Sequence, residues 1–229
     1  MAKKKENNME KFNATSFVEL AQKGNCHTDT TRQNQRIARK VQFPSEVYIQ
    51  DVNGKLWETE DWDNSVKPNA IAIITDETKF LMALEQSDLQ ISNTCQTEFE
   101  EHMYAESTSH AAIKNYDGAG NTARMLKVQP STDYAAGYCN AFTFPDGKTK
   151  GYLPSLGQLY LACRNKGEVN AALSKCGGTA MADSYYWSST FWGNNQYNYR
   201  SCWVLGWNYS DIFNVRLIDI KYVRPFADF

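Results

Sequence analysis

Between Tyr185 and Phe229 the chain gathers 14 of its 30 aromatic residues, interleaved with asparagines and marked by YYWSST (Tyr185 to Thr190) and KYVRPF (Lys221 to Phe226). No helical periodicity survives there, so the stretch is expected to fold as strands and long loops. The segment SCWVLGW is the sharpest constraint. Trp203, Leu205 and Trp207 alternate with Cys202, Val204 and Gly206, and successive side chains of a strand face opposite sides. The first three are expected inward and their alternates outward. Part of the aromatic set is then the interior of a β-rich domain. The remainder, set among asparagines, reads as a binding surface, because Tyr and Trp offer a large, stiff contact area with few torsions to freeze.

At 229 residues the chain suits one large domain with an appendage, or two small domains. A net charge of −2 leaves no basic stripe to neutralise phosphates, so nucleic acid is not an expected partner. No apolar run approaches membrane-spanning length, and the start MAKKKENNMEKF lacks the apolar segment and cleavage site of a secretory signal, so neither membrane insertion nor export is expected. The six cysteines, Cys26, Cys95, Cys139, Cys163, Cys176 and Cys202, are scattered without a close pair of the metal-binding type, and reduced thiols are expected.

Residues 1–44 are polar, with one helical signal from Ser16 and Glu19 at capping-box spacing and Gly24 placed to stop the turn. They are expected to attach or oligomerise the protein rather than to fold alone. From Val47 the texture changes. VYIQDVNGKLW sets an Asn53-Gly54 turn between alternating apolar runs, a strong hairpin signal, and IAIITDETKFLMALE repeats the pattern around Asp76 to Thr78. From about Thr97 to Ala141 an interrupted helical region is expected, with a turn at Asp117 to Asn121. A helix should start after Ser155, where Gln158 completes a capping box, and run to about Lys166, with Gly167 breaking it. A shorter helix should follow and end at Gly177. The fold class is α+β, with small antiparallel sheets, two or more helices and a long irregular C-terminal region.

GYLPSLGQLYLA (Gly151 to Ala162), YYWSST and YVRPF resemble segments of the C-type-lectin-like fold found in formylglycine-generating-enzyme relatives and bacterial lectin-like domains. VNGKLW, NAIAIITDETKFLMALE, YDGAGNT, YCNAFTFPDGKTKGYLPSLGQLYLA, YYWSST and YVRPF together resemble the variable proteins of diversity-generating retroelements of Bacteroides and their phages. The resemblance runs from about Val47 to the end. It implies a C-type-lectin-like domain over 45–229, with a variable region at about 185–229.

In that family a reverse transcriptase recopies a template with errors at adenines, so that asparagine codons of the AAC type come to encode many residues. Lys, Gln, Glu, Met and Trp cannot arise from them. Trp192, Gln196, Trp203, Trp207 and Lys221 are therefore expected to be fixed. The candidate ligand-binding set is Asn194, Asn195, Tyr197, Asn198, Tyr199, Arg200, Cys202, Val204, Gly206, Asn208, Tyr209, Asp211, Phe213, Asn214, Arg216, Ile218, Asp219 and Ile220. Tyr197, Tyr199, Tyr209 and Phe213 are the expected anchors, with Asn194, Asn195, Asn198 and Asn208 as adaptable hydrogen-bonding contacts. An ordinary irregular lectin loop is the bland alternative. Related variable regions often carry Gly near Ser210 and Lys near Leu217, and this chain departs from both.

The resemblance implies a hypervariable receptor-binding protein, in a phage virion as a tail-fibre tip that recognises a bacterial surface receptor or other macromolecular ligand. A bacterial cell-surface adhesin whose signal peptide was trimmed is the alternative, and homo-oligomers, trimers among them, occur in the family. No catalytic residue, metal site or cofactor is expected. The paired cysteines of the related oxidases are missing, the calcium-binding triplets of animal lectins are absent, and His27, His102 and His110 lack ligand spacing. The Glu98, Glu100, Glu101 cluster reads as a solvated helix face. An oxidase or glycosidase on the same scaffold is the rival from another class, with Asp211 and Asp219 as its only nearby acids.

Overall fold

A computed structural model describes residues 45–93, 104–193 and 201–229. Contacts divide the chain into Met1–Pro44 and Ser45–Phe229, and the described residues all belong to the second unit. The helix signal at Ser16 to Gly24, the glutamates at 98, 100 and 101, His27, His102, Cys26 and Cys95 lie outside them.

Strands β1 (Ser45–Asp51) and β2 (Leu56–Trp57) form the hairpin signalled by Asn53-Gly54. Gly54 sits at φ 86°, where a side chain would be strained. The Asp51 carboxylate closes the turn, accepting from the backbone of Asn53 and Lys55 and from the Trp57 indole at 2.8, 3.0 and 3.0 Å. The second hairpin pairs β3 (Pro68–Thr75) with β4 (Lys79–Met82) around Asp76 to Thr78. With β11 (Phe226–Asp228) these make an antiparallel five-stranded sheet of order β11-β4-β3-β1-β2. The β3 run is apolar without alternation because both its faces are covered. Ile71 and Ile73 enter the main core, while Ala70 and Ala72 join a smaller cluster with Leu81, Phe144 and Ala227.

The described helices are α1 (Ser109–Ala112), α2 (Gly118–Val128), α3 (Ala135–Ala141), α4 (Leu156–Arg164) and α5 (Lys166–Lys175). The capping box at the start of α4 is complete. Ser155 Oγ accepts from the Gln158 amide, and Gln158 Oε1 accepts from the Ser155 amide. Two expectations are corrected. Asp117 to Asn121 is no turn, because Asp117 caps α2 by accepting from the Gly120 amide at 2.8 Å and Gly118 to Asn121 form the first helical turn. Gly167 lies inside α5, and the break falls at Asn165, which ends α4 and begins α5. Gly177, at φ 76°, follows α5 as its stop.

The second sheet holds β5 (Ser87–Leu89), β6 (Ala105–Glu106), β7 (Tyr185–Trp192), β8 (Ser201–Gly206), β9 (Ile212–Arg216) and β10 (Lys221–Val223). Its order is β5-β10-β7-β8-β9, with β6 also beside β7. It is mixed rather than purely antiparallel, since β6 and β10 both run parallel to β7. The architecture is α+β. Strand order places β7 and β8 between β9 and β10, so residues 217–220 must cross them. Leu217 is buried with Cys202, Val204 and Trp187, which puts the crossing on their side of the sheet. Helices α2 and α3 cover the same side through Met125, Ala135, Ala136 and Cys139. The opposite side packs Trp203, Leu205 and Trp207 against Leu159, Ala162 and Cys163 of α4.

The YYWSST motif encodes an irregularity. Trp187 pairs with Val204 and Phe191 with Cys202, so Ser188, Ser189 and Thr190 stand opposite Trp203 alone. Hydroxyls hold the bulge: Ser188 Oγ donates to the Trp203 carbonyl at 2.8 Å, and Thr190 Oγ1 accepts from the Leu156 amide at 3.1 Å. The KYVRPF motif contributes Arg224, buried, which donates to the carbonyls of Ala83 and Thr179 and to Gln86 Oε1.

Candidate ligand-binding surface

Trp203 and Trp207 are 5% and 1% exposed, inward as their alternation requires. Trp203 donates its indole N–H to the Glu106 carbonyl at 3.1 Å, and the Trp207 amide donates to the Ser184 carbonyl at 3.0 Å. From Trp207 the chain turns through Asn208, Tyr209 and Ser210 into β9. The turn is held to the junction of α4 and α5: the Cys163 thiol donates to the Trp207 carbonyl at 3.3 Å and lies 3.3 Å from Ser210 Oγ, and Lys166 Nζ donates to the Asn208 carbonyl. Ser210 takes φ 57°, the left-handed conformation in which glycine carries no penalty.

Cys202, Val204 and Gly206, expected to face outward, are all buried, which corrects that part of the candidate set. Alternation divides inside from outside only when one face of a sheet is wet. Here the 217–220 crossing and helices α2 and α3 cover the second face as well. Cys202 has a structural task there. Its thiol donates to the carbonyls of Ser188 and Thr190 at 3.3 and 3.2 Å, and burial pushes its pKa well above the ordinary thiol value. Gly206 has no room for a side chain: an added Cβ would lie 1.9 Å from Asp211 Oδ1 and 3.1 Å from Tyr185 Cε1. Over this bare position the Tyr185 hydroxyl donates to Asp211 Oδ2 at 2.8 Å, and its ring meets Phe213 edge-on at 5.9 Å. The hydrogen bond to Asp211, with burial second, raises the Tyr185 pKa.

The exposed part of the candidate set lies beyond Gly206. Tyr209 is 84%, Phe213 51% and Ile220 59% exposed, and with Phe229 they are the large apolar side chains exposed among the described residues. Asn208, Asn214 and Arg216 are also exposed, while Asp211, Ile218 and Asp219 are half-buried. Arg216 pairs with Asp219 at 3.2 Å across a tight turn in which the Asp219 amide donates to the Arg216 carbonyl. Asn194, Asn195, Tyr197, Asn198, Tyr199 and Arg200 lie outside the described residues. Trp192, one residue before the last described position Gly193, and Ser201 are a cross-strand pair. The β8–β9 turn leaves from the far end of the same strand, about 17 Å away at ~3.4 Å per residue.

Tyr185, half-buried, borders the exposed set although the alternation of SCWVLGW says nothing of it. Its signal was the doubled tyrosine opening YYWSST next to a glycine-terminated strand, a pairing visible only once β7 and β8 are in register as Tyr185↔Gly206. Among the described residues no cluster of His, Cys, Asp or Glu could hold a metal ion, no helix is long and apolar enough to cross a membrane, and the four cysteines are free thiols. No protein-family model, curated protein or solved structure matches the chain.

Proposed function

We propose that residues 45–229 are a C-type-lectin-like scaffold whose C-terminal surface is rewritten by a retroelement and recognises a macromolecular receptor, as a phage tail-fibre tip does on a bacterial surface. The observation that carries this is the concentration of solvent-exposed Tyr209, Phe213 and Ile220, with Asn208, Asn214 and Arg216 beside them, on a turn, an edge strand and a crossing anchored by buried Trp203, Trp207 and Leu217. Exposed aromatic and aliphatic groups gathered on one part of a domain are a common mark of a contact surface. The residues that error-prone copying of AAC codons cannot produce, Trp203 and Trp207, hold the frame. Of those it can produce, Asn208, Tyr209, Phe213, Asn214, Arg216 and Ile220 stand in water, whereas Cys202, Val204, Gly206 and Leu217 are buried with the frame.

The protein has no catalytic role in this account. Asp211 and Asp219, the acids an enzyme on this surface would use, flank opposite ends of β9 and are engaged by Tyr185 and Arg216. Residues 1–44 attach the domain to its assembly, and a trimer would multiply a weak single site. A cell-surface adhesin is the second setting for the same surface, separated from the first by whether tail genes or a lipoprotein signal accompany the gene.

The neighbouring DNA is the test. A near-copy of the codons for Tyr185 to Phe229, beside a reverse-transcriptase gene, should differ from them at its adenines only, with AAC in the copy opposite codons 208, 209, 213, 214, 216 and 220, changed at 209, 213, 216 and 220, and no difference at 203 and 207. Flanking DNA with no such copy, or a copy differing at the tryptophan codons, contradicts the proposal.

A further inference from the structure

The exposed candidates on β9 do not share a face. Phe213 stands opposite Val204, on the side of Tyr185 and the 217–220 crossing, whereas Asn214 stands opposite Trp203 and Arg216 opposite Ser201, on the other side. A ligand lying on one face would meet Phe213 or the Asn214 and Arg216 pair. To meet both it has to approach along the strand edge. β9 is the outer strand of its sheet, and its five pairs with β8 run without a register shift. Among the described residues no strand pairs with the other edge, where only the Arg216 carbonyl is taken, by the Asp219 amide. Such edges offer a row of unsatisfied N–H and C=O groups and are ordinarily blunted by Pro, Lys or a bulge. IFNVR has no Pro, Lys or bulge, and its one charge, Arg216, stands at the end of the strand in a pair with Asp219.

We infer that β9 captures an extended peptide segment of its receptor by strand addition. This rests on the display function proposed above and narrows the partner to a protein with an unpaired strand or flexible loop. The added segment places an apolar side chain against Phe213 and an acidic one against Arg216, whose side chain is 70% exposed. Main-chain hydrogen bonds supply an affinity that does not depend on β9 side chains, and side chains on either face supply the choice of sequence. Positions 213, 214 and 216 can then be rewritten without losing the underlying attachment.

The experiment adds a seven-residue peptide of alternating Val and Glu, acetylated and amidated, to the full-length protein and follows the amide resonances of Ile212 to Arg216. An added strand directs only alternate N–H groups at its neighbour. Methylating one alternate set of peptide nitrogens should therefore weaken binding by at least about tenfold, and methylating the other by less than about threefold. Arg216→Glu should shift the preference to the corresponding Val and Lys peptide. Equal losses from both methylated sets, or no movement of β9 amides at millimolar peptide, overturns the inference. So does protection of those amides in the free protein that grows with its concentration, which would make a second copy the occupant. Failure here beside an adenine-differing DNA copy removes only the strand addition. A bound peptide without that copy removes only the retroelement.

Discussion

β8 and β9 are adjacent antiparallel strands joined by the five residues 207–211, yet they meet opposite environments. Every residue of β8 after Ser201 is buried, with Trp203 and Leu205 in one core cluster and Cys202 and Val204 in another. β9 exposes Phe213, Asn214 and Arg216. The same alternating pattern therefore carries different freedom in the two strands, and what decides is position in the sheet rather than composition. An interior strand with both faces covered is fixed at every residue. An edge strand is free on whichever side chains its neighbours leave uncovered.

The widest gap between the two regions should appear on truncating the frame. Trp207→Ala removes a fully buried indole and should cost about 3–5 kcal/mol in urea denaturation. A loss under about 1 kcal/mol would mean the turn needs no anchor at Trp207. Next come the residues expected to be free and found buried. Gly206→Ala forces a methyl into the space of the Asp211 carboxylate, and Val204→Asn puts an amide among Trp187, Cys202 and Leu217. Each should cost about 1–3 kcal/mol, and tolerance of both would return them to the candidate ligand-binding set.

Alkali provides an independent probe of the frame. Burial, with smaller opposing contributions from Ala182 and Arg224, pushes the Tyr186 phenol up to about 12. Because the folded pKa lies above the unfolded value of ~10, its contribution is complete below about pH 10 and is lost as pH rises towards 12. The melting temperature should fall across that window, and less so in Tyr186→Phe, where the titrating group is gone; parallel curves would assign the alkaline loss to other groups. The smallest effect belongs to the turn itself. Ser210→Gly relieves a left-handed serine but forfeits its contact with Cys163 and gains chain entropy when unfolded, so a net change within about 0.5 kcal/mol is expected. A loss beyond about 1 kcal/mol would show that the Cys163 contact anchors the turn.

Much of the frame was written locally. The hairpin at Asn53-Gly54, the capping box at Ser155 and Gln158, and the inward tryptophans each depend on residues within a few positions of one another. The misread features depend on distant ones. Val204 and Cys202 are inside because residues 217–220 cross over them, and that crossing follows from β10 pairing with β7, which no local pattern announces. Asp117 to Asn121 carries the composition of a turn, and only the helix continuing to Val128 distinguishes a cap from a loop. The surface was legible where it is a turn, at Asn208 and Tyr209, and obscure where strand order decides it.

The most direct measurement is the stability of a library in which each residue from 201 to 220 is replaced in turn by every type that copying of an AAC codon can yield. Asn208, Tyr209, Phe213, Asn214, Arg216 and Ile220 should accept nearly all replacements within about 0.5 kcal/mol, and Cys202 to Trp207 and Leu217 should reject most. Equal tolerance in β8 and β9, or a destabilising Tyr209→Ala, would contradict the division between a fixed strand and a rewritable neighbour.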